Sequence, residues 1–244
     1  MKIKVLFFTV FTFLLISCNQ NQKKLSPPEI IEKSIDKHGG LKRWKEVKQI
    51  DFDKKTILFK KDGQIEKNIE QHQSFNFKPS LSGKIFSKDG FGVLFDGNTF
   101  FKINKNTISI FKNKTSLEKA KNQFYAAEYV VCQPFKLDDK NIILTDKGIQ
   151  EINKVKAYAI GITYKNDTEL SDKWVYYFDV NSFQLIATKV IHLDRDSLIE
   201  NLSFDTSTDF IFNKERKSFI TDKKTKEKYL RARYLYTNFK ISYK

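Results

Sequence analysis

The sequence predicts one α+β domain in which two antiparallel β-meanders are separated by a long helix. Apolar and polar residues alternate with a period of two over most of the chain after residue 50, and turn tripeptides such as Lys61-Asp62-Gly63 interrupt the alternation. The spacing is helical near the N-terminus of the domain and again between residues 115 and 134. No linker rich in Pro, Gly or Ser and no repeat of fixed period divides the 244 residues, which favours a single domain.

The first helix is predicted to begin at Ser26. Ser26 and Glu29 have the spacing of a capping box, and Pro27 suits the first helical position. Gly39-Gly40 is expected to end this helix. A short second helix is indicated by apolar residues at three-residue spacing, Leu41, Trp44 and Val47. We expect this helix pair to pack its apolar edge against the rest of the domain.

The predicted strands are short and follow one another directly along the chain. In the first meander they cover residues 50–59, 64–77, 81–87, 91–95 and 99–103. In the second they cover residues 142–144, 157–164, 173–178, 185–193, 198–204, 216–221 and 229–243. Between the meanders, a capping box at Thr115 and Glu118 predicts a helix. Its apolar stripe contains Leu117, Ala120, Phe124, Ala127 and Val131.

The N-terminus has the pattern of a secretory signal. Lys2 and Lys4 precede residues 5–16, a stretch without charge, Pro or Gly. This stretch is well short of the roughly 20 residues that a helix needs to span a bilayer. It ends in Leu15-Ile16-Ser17-Cys18, which resembles the lipobox of bacterial lipoproteins. The alternative is a plain signal peptide that contains a cysteine by chance.

The lipobox resemblance implies cleavage before Cys18 and acylation of this residue. Residues 1–17 are then a lipoprotein signal peptide, residues 18–25 a flexible polar tether, and residues 26–244 the folded domain. Two or three acyl chains anchor a protein stably to a membrane, whereas one chain binds only marginally. With Cys18 acylated, Cys132 is the remaining thiol, so no internal disulfide can form.

The charge is strongly positive, at +15, with 44 Lys and Arg against 29 Asp and Glu. Only five of these cations are arginines, whereas proteins that read nucleic acids rely on arginine for bidentate contacts. We therefore predict no nucleic-acid partner. The lysine-rich segment 223–226 is interpreted as a solvated loop, and contact with anionic lipid is the alternative.

The sequence contains no recognisable catalytic or metal-binding motif. His38, His72 and His192 are isolated from one another along the chain. The best catalytic candidate is the segment 192–196, where His192, Asp194 and Asp196 are predicted to share one face of a strand. A solvated strand end explains the same residues, so we predict no enzyme, no cofactor and no metal. A hydrolase that uses His192 remains a third hypothesis.

Aromatic residues are unusually frequent, with 23 Phe, ten Tyr and two Trp. Large flat side chains on many strands either fill a core or line an apolar cavity. The filled core is the simpler interpretation at each single position. Phe124 and Val131, on the apolar stripe of the covering helix, are the first candidates for contacts with a ligand in such a cavity.

Several short motifs resemble the lipoprotein-localisation (LolA/LolB-like) superfamily. The hairpin WVYYFD at 174–179 with SFQLIATK at 182–189 resembles one of its hairpins, although Val180 stands where the pattern often has Pro. DGNTFF at 96–101 is similar to an earlier turn of the same proteins. HGGLxxWxxVK at 38–48 and FxxER at 212–216 resemble uncharacterised Bacteroidota outer-membrane lipoproteins of that fold.

The resemblance implies a strongly curved, unclosed antiparallel β-barrel, or half-barrel, with helices covering its concave side. It also implies an apolar cavity that can hold acyl chains. The function expected from it is binding of a lipid or other hydrophobic ligand, in lipoprotein or lipid handling at the outer membrane. The alternative is an accessory or structural lipoprotein that binds a protein partner and has no ligand cavity.

The expected partners follow from the anchor and the cavity. They are the membrane, through acyl chains on Cys18, and lipid or lipoprotein acyl chains in the domain, which we expect to be monomeric. The tether lacks an Asp after Cys18 and lacks the acidic run associated with surface export in Bacteroidota. We therefore expect an outer-membrane protein that faces the periplasm.

The anchor can be tested by replacing Cys18 with Ser. The substitution should abolish processing and acylation, because only a thiol can form the thioether. Mass spectrometry of the detergent-extracted protein measures both events. A Cys18→Ser protein that still has the mature mass and partitions into detergent would show that the lipobox interpretation is wrong.

Overall fold

Thirteen antiparallel strands form one continuous sheet in the residues that this computed structural model describes, 24–169 and 171–243. The first meander contains β1 (Val47–Phe59), β2 (Ile65–Asn76), β3 (Ser82–Ser87), β4 (Phe91–Phe95), β5 (Phe100–Asn104) and β6 (Thr107–Ile110). The second contains β7 (Ile142–Ile152), β8 (Val155–Tyr164), β9 (Lys173–Asp179), β10 (Leu185–Ile191), β11 (Arg195–Asp205), β12 (Phe212–Asp222) and β13 (Lys228–Tyr243). The predicted signal peptide, Cys18 and most of the tether lie outside the described residues.

Three α-helices accompany the sheet in the described residues. They are α1 (Pro27–Lys37), α2 (Leu41–Trp44) and α3 (Lys114–Val131), and a 3-10 turn at Phe135–Leu137 follows α3. α3 connects β6 to β7, as the change of period near residue 115 predicts. The predicted helix between two antiparallel meanders is therefore confirmed.

The strand order is β6-β5-β4-β3-β2-β1-β13-β12-β11-β10-β9-β8-β7. Every neighbouring pair is consecutive in the chain except β1 and β13, whose antiparallel pairing joins the two meanders from Val47 opposite Tyr243 to Leu58 opposite Ala232. The edge strands β6 and β7 do not pair with each other, so the sheet is not closed into a barrel. This confirms the predicted unclosed antiparallel sheet.

The main core lies between the concave face of the sheet and the helices. α3 inserts Phe124 among Phe75, Phe95 and Phe100, with ring centroids 5.2 to 5.5 Å apart in edge-on geometry. Phe124 is completely buried. Aromatic pairs of this kind contribute about 0.5–1.5 kcal/mol beyond the burial of their area. These contacts hold α3 against the first meander.

Three local predictions are corrected by the structure. Strand β6 was not predicted, because all four of its residues are exposed and its sequence has no buried alternation. The predicted strand at residues 142–144 is too short, since β7 continues to Ile152. The extension was missed because most of its side chains are exposed. The predicted cap at Thr115 is wrong: Asn113 caps α3, and its Oδ1 accepts a hydrogen bond from the Ser116 N–H at 2.9 Å.

The start of α1 is as predicted. The Ser26 backbone N–H donates to Glu29 Oε2 at 2.8 Å, and the Ser26 hydroxyl donates to the same oxygen at 2.6 Å. The bond from the Ser26 N–H is the one in which the third helical residue of a capping box accepts from the backbone of the cap. Pro27 occupies the first position of the helix.

The motif at residues 38–44 forms the corner between α1, α2 and the sheet. Gly39 has a φ of +126°, and a Cβ at this position would lie only 2.5 Å from Phe210 Cδ1, so only glycine fits. Trp44 stacks on Phe135 with centroids 4.3 Å apart and meets Phe210 edge-on at 5.3 Å. The structure gives this motif a packing role.

His38 is buried in the same corner. Its Nδ1 lies 2.7 Å from the Ser34 carbonyl oxygen, and its own carbonyl accepts from the Ile211 N–H at 3.1 Å. Burial lowers the pKa of His38 to about 4, against an opposing effect of the bond to Ser34. The ring is therefore neutral in the folded protein at neutral pH.

His38 should make the domain sensitive to mild acid. The unfolded chain protonates this residue near pH 6.5, whereas the folded protein resists protonation until about pH 4. Stability is therefore full above pH 6.5 and falls by about 3 kcal/mol as the pH drops through this window. Urea unfolding at pH 7 and pH 4.5 should show a much smaller loss for His38→Gln.

The matched control is His192→Gln, which should retain the loss seen in the wild type because His192 is outside the core. Equal pH dependence in the wild type and in His38→Gln would refute the role given to His38.

Candidate ligand site on the concave face

A cleft of about 380 Å³ lies between α3 and the concave face of the sheet. The helix contributes Gln123, Ala126, Ala127 and Val130, a stripe with the spacing i, i+3, i+4 and i+7. The stripe is next to the one that carries Phe124 into the core. Because two of its members are alanines, the helix leaves space above the sheet instead of filling it.

The strands supply a floor of mixed character. Its apolar members are Ile69, Trp174 and Ile199. Its neutral polar members are Gln71, Gln73, Thr188, Tyr234 and Tyr236, with Gln133 contributed by the segment after α3. Its charged members are Lys54 and Arg216, and no Asp or Glu is among the described residues that line the cleft. The cleft thus combines an apolar wall with a polar, positively charged region.

Strand register brings the two cations to this region. Lys54 of β1 lies opposite Tyr236 of β13, and Arg216 of β12 lies opposite Tyr234 of the same strand. Tyr234 and Tyr236 point to the same face of β13 because they are two residues apart. β13 therefore holds two phenol rings between the two cations.

Arg216 is buried, with 4% of its surface exposed. Its Nε–H donates to Asn201 Oδ1 at 2.8 Å, and the Asn201 amide donates to the Leu185 carbonyl at 2.7 Å. These two bonds fix the guanidinium in the floor of the cleft. No carboxylate of the described residues lies within 4.0 Å of it.

The two cations change the acidity of Tyr236. Burial raises the pKa of this phenol, but Lys54 and Arg216 oppose burial and bring the pKa below its usual value. A fully buried phenol with a lowered pKa indicates a positive electrostatic potential. This end of the cleft is therefore suited to a negative group.

A network of neutral hydroxyl groups borders the cleft. The Tyr129 hydroxyl lies 2.9 Å from that of Tyr164 and 3.0 Å from that of Tyr176, to which Gln133 Nε2 donates at 2.9 Å. Burial raises the pKa of both Tyr129 and Tyr176, so both phenols are neutral. The network holds the end of α3 against β9.

Two buried polar atoms at the cleft have no hydrogen-bond partner among the described residues. They are Gln133 Oε1 and Thr188 Oγ1. Both residues are more than nine-tenths buried and both line the cleft. Buried polar groups without a partner are uncommon, because each costs about 1–3 kcal/mol.

The residues predicted as first ligand contacts lie behind the wall of the cleft. Phe124 is packed in the core, and Val131 borders a void of only about 10 Å³ beside Phe212 and Phe239. Neither is among the residues that line the larger cleft. Their role in ligand binding stays a prediction. The adjacent pair of small residues Ala126-Ala127 is the sequence signal for the side of α3 that lines the cleft.

The segment 192–196 does not form the predicted strand face. Residues 192–194 connect β10 to β11, so His192 and Asp196 are not on one strand. His192 Nδ1 lies 2.6 Å from Asp172, while Asp196 pairs with Lys189 at 2.7 Å and Asp194 with Arg195 at 3.1 Å. Each group has a different partner, and the structure does not bring them together.

Other candidate groups also have local partners. His72 Nδ1 lies 2.9 Å from Asp53 Oδ1. Cys132 is buried, its thiol lies 3.4 Å from Glu128 Oε1, and burial raises its pKa. Within residues 24–169 and 171–243, no three His, Cys, Asp or Glu side chains are grouped so that they could hold a metal ion. In the same residues, no helix has the length and apolar character needed to cross a membrane.

Comparison of the sequence with protein-family models and with curated proteins finds no match. Solved structures do match. A DUF1329 family protein from Desulfovibrio piger aligns with a TM-score of 0.56 at 8% identity, over 87% of this chain and 92% of that one. A LolA superfamily protein from Nitrosomonas europaea aligns with a TM-score of 0.54 at 10% identity, over 90% and 94%.

A domain described as that of an outer membrane lipoprotein-sorting protein from Vibrio parahaemolyticus aligns with a TM-score of 0.51 at 7% identity, over 88% and 91%. At these identities the similarity concerns the fold. The chain therefore has the LolA-like fold, as its sequence motifs predict.

The hydroxyl network can be tested with Tyr176→Phe. The substitution leaves Gln133 Nε2 and the Tyr129 hydroxyl without their shared partner, which should lower the free energy of unfolding by about 1–3 kcal/mol. The control is Tyr177→Phe, on the opposite face of β9, because its hydroxyl has no hydrogen bond among the described residues. Urea denaturation of both variants measures the difference. Equal losses would contradict the role given to the network.

Proposed function

We propose that this protein is an envelope lipoprotein that binds a hydrophobic or amphiphilic ligand in the cleft between α3 and the sheet. The observation that carries the proposal is the cleft of about 380 Å³, which Ala126 and Ala127 leave open. Ligand sites in proteins are usually concave, mostly apolar and about 300–1,000 Å³ in volume. The cleft is at the lower end of this range, which suits one alkyl chain.

The binding energy would come from burial of the alkyl chain. Each methylene removed from water contributes about 0.8 kcal/mol. Ile69, Val130, Trp174 and Ile199 offer apolar surface along the cleft. The proposal is binding, and no step of chemistry is assigned to the site.

The cellular location rests on the N-terminal sequence. The lipobox at residues 15–18 supports cleavage before Cys18 and acylation of that residue. α1 begins at Pro27, directly after the polar segment, which supports the division into signal peptide (1–17), tether (18–25) and domain (26–244). The Vibrio parahaemolyticus domain of the same fold is named for outer membrane lipoprotein sorting, which is consistent with this placement. We place the domain at the outer membrane, facing the periplasm.

A second function is favoured by the free edge of the sheet. β6 is an edge strand, and its residues Ile108 and Ile110 are 60% and 63% exposed. Unpaired edge strands can add a strand from another protein. A partner-binding lipoprotein would use this edge and would not need the cleft.

Ligand binding can be tested with an uncharged probe. Residues 24–244 contain every described strand and helix and the described core, so they can be produced alone. N-phenyl-1-naphthylamine should bind this domain saturably, with enhanced fluorescence, at both 0.1 M and 1 M salt. Salt screens charges and does not weaken burial of an apolar probe.

The site of binding is tested by filling the cleft. Ala127→Phe, which places a ring on the lining stripe, should reduce probe affinity about tenfold or more, because the new ring occupies space that the probe needs. Asn122→Phe adds the same ring to an exposed position of α3 outside the lining and should leave binding unchanged. Ala126→Phe, at an exposed lining position, replaces Ala127→Phe if that variant is unstable. Absence of saturable binding in the wild type would favour the partner-binding function.

A further inference from the structure

We propose that the ligand is a single-chain alkyl carboxylate, a free fatty acid, whose carboxylate binds the guanidinium of Arg216 with Lys54 as a second cation. The inference rests on the proposed function and names the class of ligand for the same cleft. Four observations carry it: the missing partner of Arg216, the position of Lys54, the absence of acids in the cleft, and the unpartnered polar atoms.

Arg216 differs from every other arginine of the chain. Arg43, Arg195, Arg231 and Arg233 each have a carboxylate within 4.0 Å, namely Asp209, Asp194, Glu66 and Glu215. Arg216 is buried and has no such carboxylate among the described residues. A buried charge without an opposite charge is unfavourable, and its position is explained when a ligand supplies the missing anion.

The guanidinium has donors left for a ligand. It carries five N–H groups. Its Nε–H is bonded to the neutral amide oxygen of Asn201. The planar fork of a guanidinium matches a planar carboxylate through two parallel hydrogen bonds.

Lys54 adds a second positive charge to the same region. Its Nζ lies 5.0 Å from the ring centroid of Tyr234 and 5.6 Å from that of Tyr236. No carboxylate of the described residues lies within 4.0 Å of it, whereas the next lysine along the strand, Lys55, pairs with Glu70 at 3.1 Å. The side of β1 that faces the cleft thus presents an uncompensated cation.

The unpartnered atoms complete the site. The Thr188 hydroxyl can donate to a carboxylate or to water, and Gln133 Oε1 can accept from water or from a protonated ligand group. The volume argues for one alkyl chain, because a lipid with two or three chains needs more than about 380 Å³. A ligand with one chain and one carboxylate therefore matches the size, the charge and the hydrogen-bonding groups of the cleft.

The test compares head groups on one chain. Dodecanoate, 1-dodecanol and dodecyl phosphate are each used to displace N-phenyl-1-naphthylamine from residues 24–244 at pH 8. Dodecanoate should bind at least about tenfold more tightly than dodecanol, because hydrogen bonds to a charged group are worth about 1.5–3 kcal/mol. Dodecyl phosphate distinguishes a carboxylate site from a general anion site.

The variants assign the preference to residues. Arg216→Gln should weaken dodecanoate about tenfold or more and change dodecanol less than twofold. Lys54→Gln should weaken dodecanoate by a smaller factor, and it remains informative if Arg216→Gln does not fold. The controls are Arg233→Gln and Lys55→Gln, which remove cations outside the lining and should leave both affinities unchanged.

The outcomes separate this inference from the proposed function. Equal affinity for dodecanoate and dodecanol, or equal weakening of both by Arg216→Gln, would overturn the carboxylate site while ligand binding stands. Tighter binding of dodecyl phosphate than of dodecanoate would overturn the choice of carboxylate. Failure of the neutral probe and of all three dodecyl compounds to bind would overturn the proposed function and, with it, the inference.

Discussion

The antiparallel pairing of β1 with β13 joins two meanders that would otherwise be separate sheets. Each half alone would present an apolar face that it could not bury. Together they form one curved surface against which α3 packs. The pairing also brings Lys54 and Arg216, which are 162 positions apart in the chain, to the same face of the sheet, one on each side of β13. The core and the candidate site therefore both depend on contact between the first and last strands.

Local signals predict most of the elements but miss the exposed strand β6 and most of β7, and nonlocal contacts decide the site. The cap at Ser26, the turns between strands and the helix between the meanders follow from neighbouring residues, so the sequence predicts them. α3 carries two adjacent stripes that share Ala127, and the rotation of the helix on the sheet decides which one faces the cleft. Phe124 was predicted there because it is apolar, but tight aromatic packing draws it into the core. The isolation of Arg216 is equally invisible in sequence, because it depends on which carboxylates the fold brings near.

The distribution of charge is more informative than its sum. A net charge of +15 suggests general attraction to anionic surfaces, and most of the lysines and arginines fit that description because they are exposed. Within the described residues, the other four arginines are paired with neighbouring carboxylates. The charged side chains that line the cleft, by contrast, are all positive among these residues. An apolar wall beside an uncompensated cation discriminates by head group as well as by chain, which a purely hydrophobic cavity cannot do.

The open edges of the sheet have a kinetic consequence. In a closed barrel a guest molecule exchanges through the narrow ends, and widening those ends strains the hydrogen-bond ladder. Here β6 and β7 do not pair with each other, and the cleft between α3 and the sheet is open to solvent along the helix. A guest can therefore enter and leave without breaking any bond between strands. Its residence time would be set by its own contacts with the lining residues, and the stability of the sheet would have little influence on it.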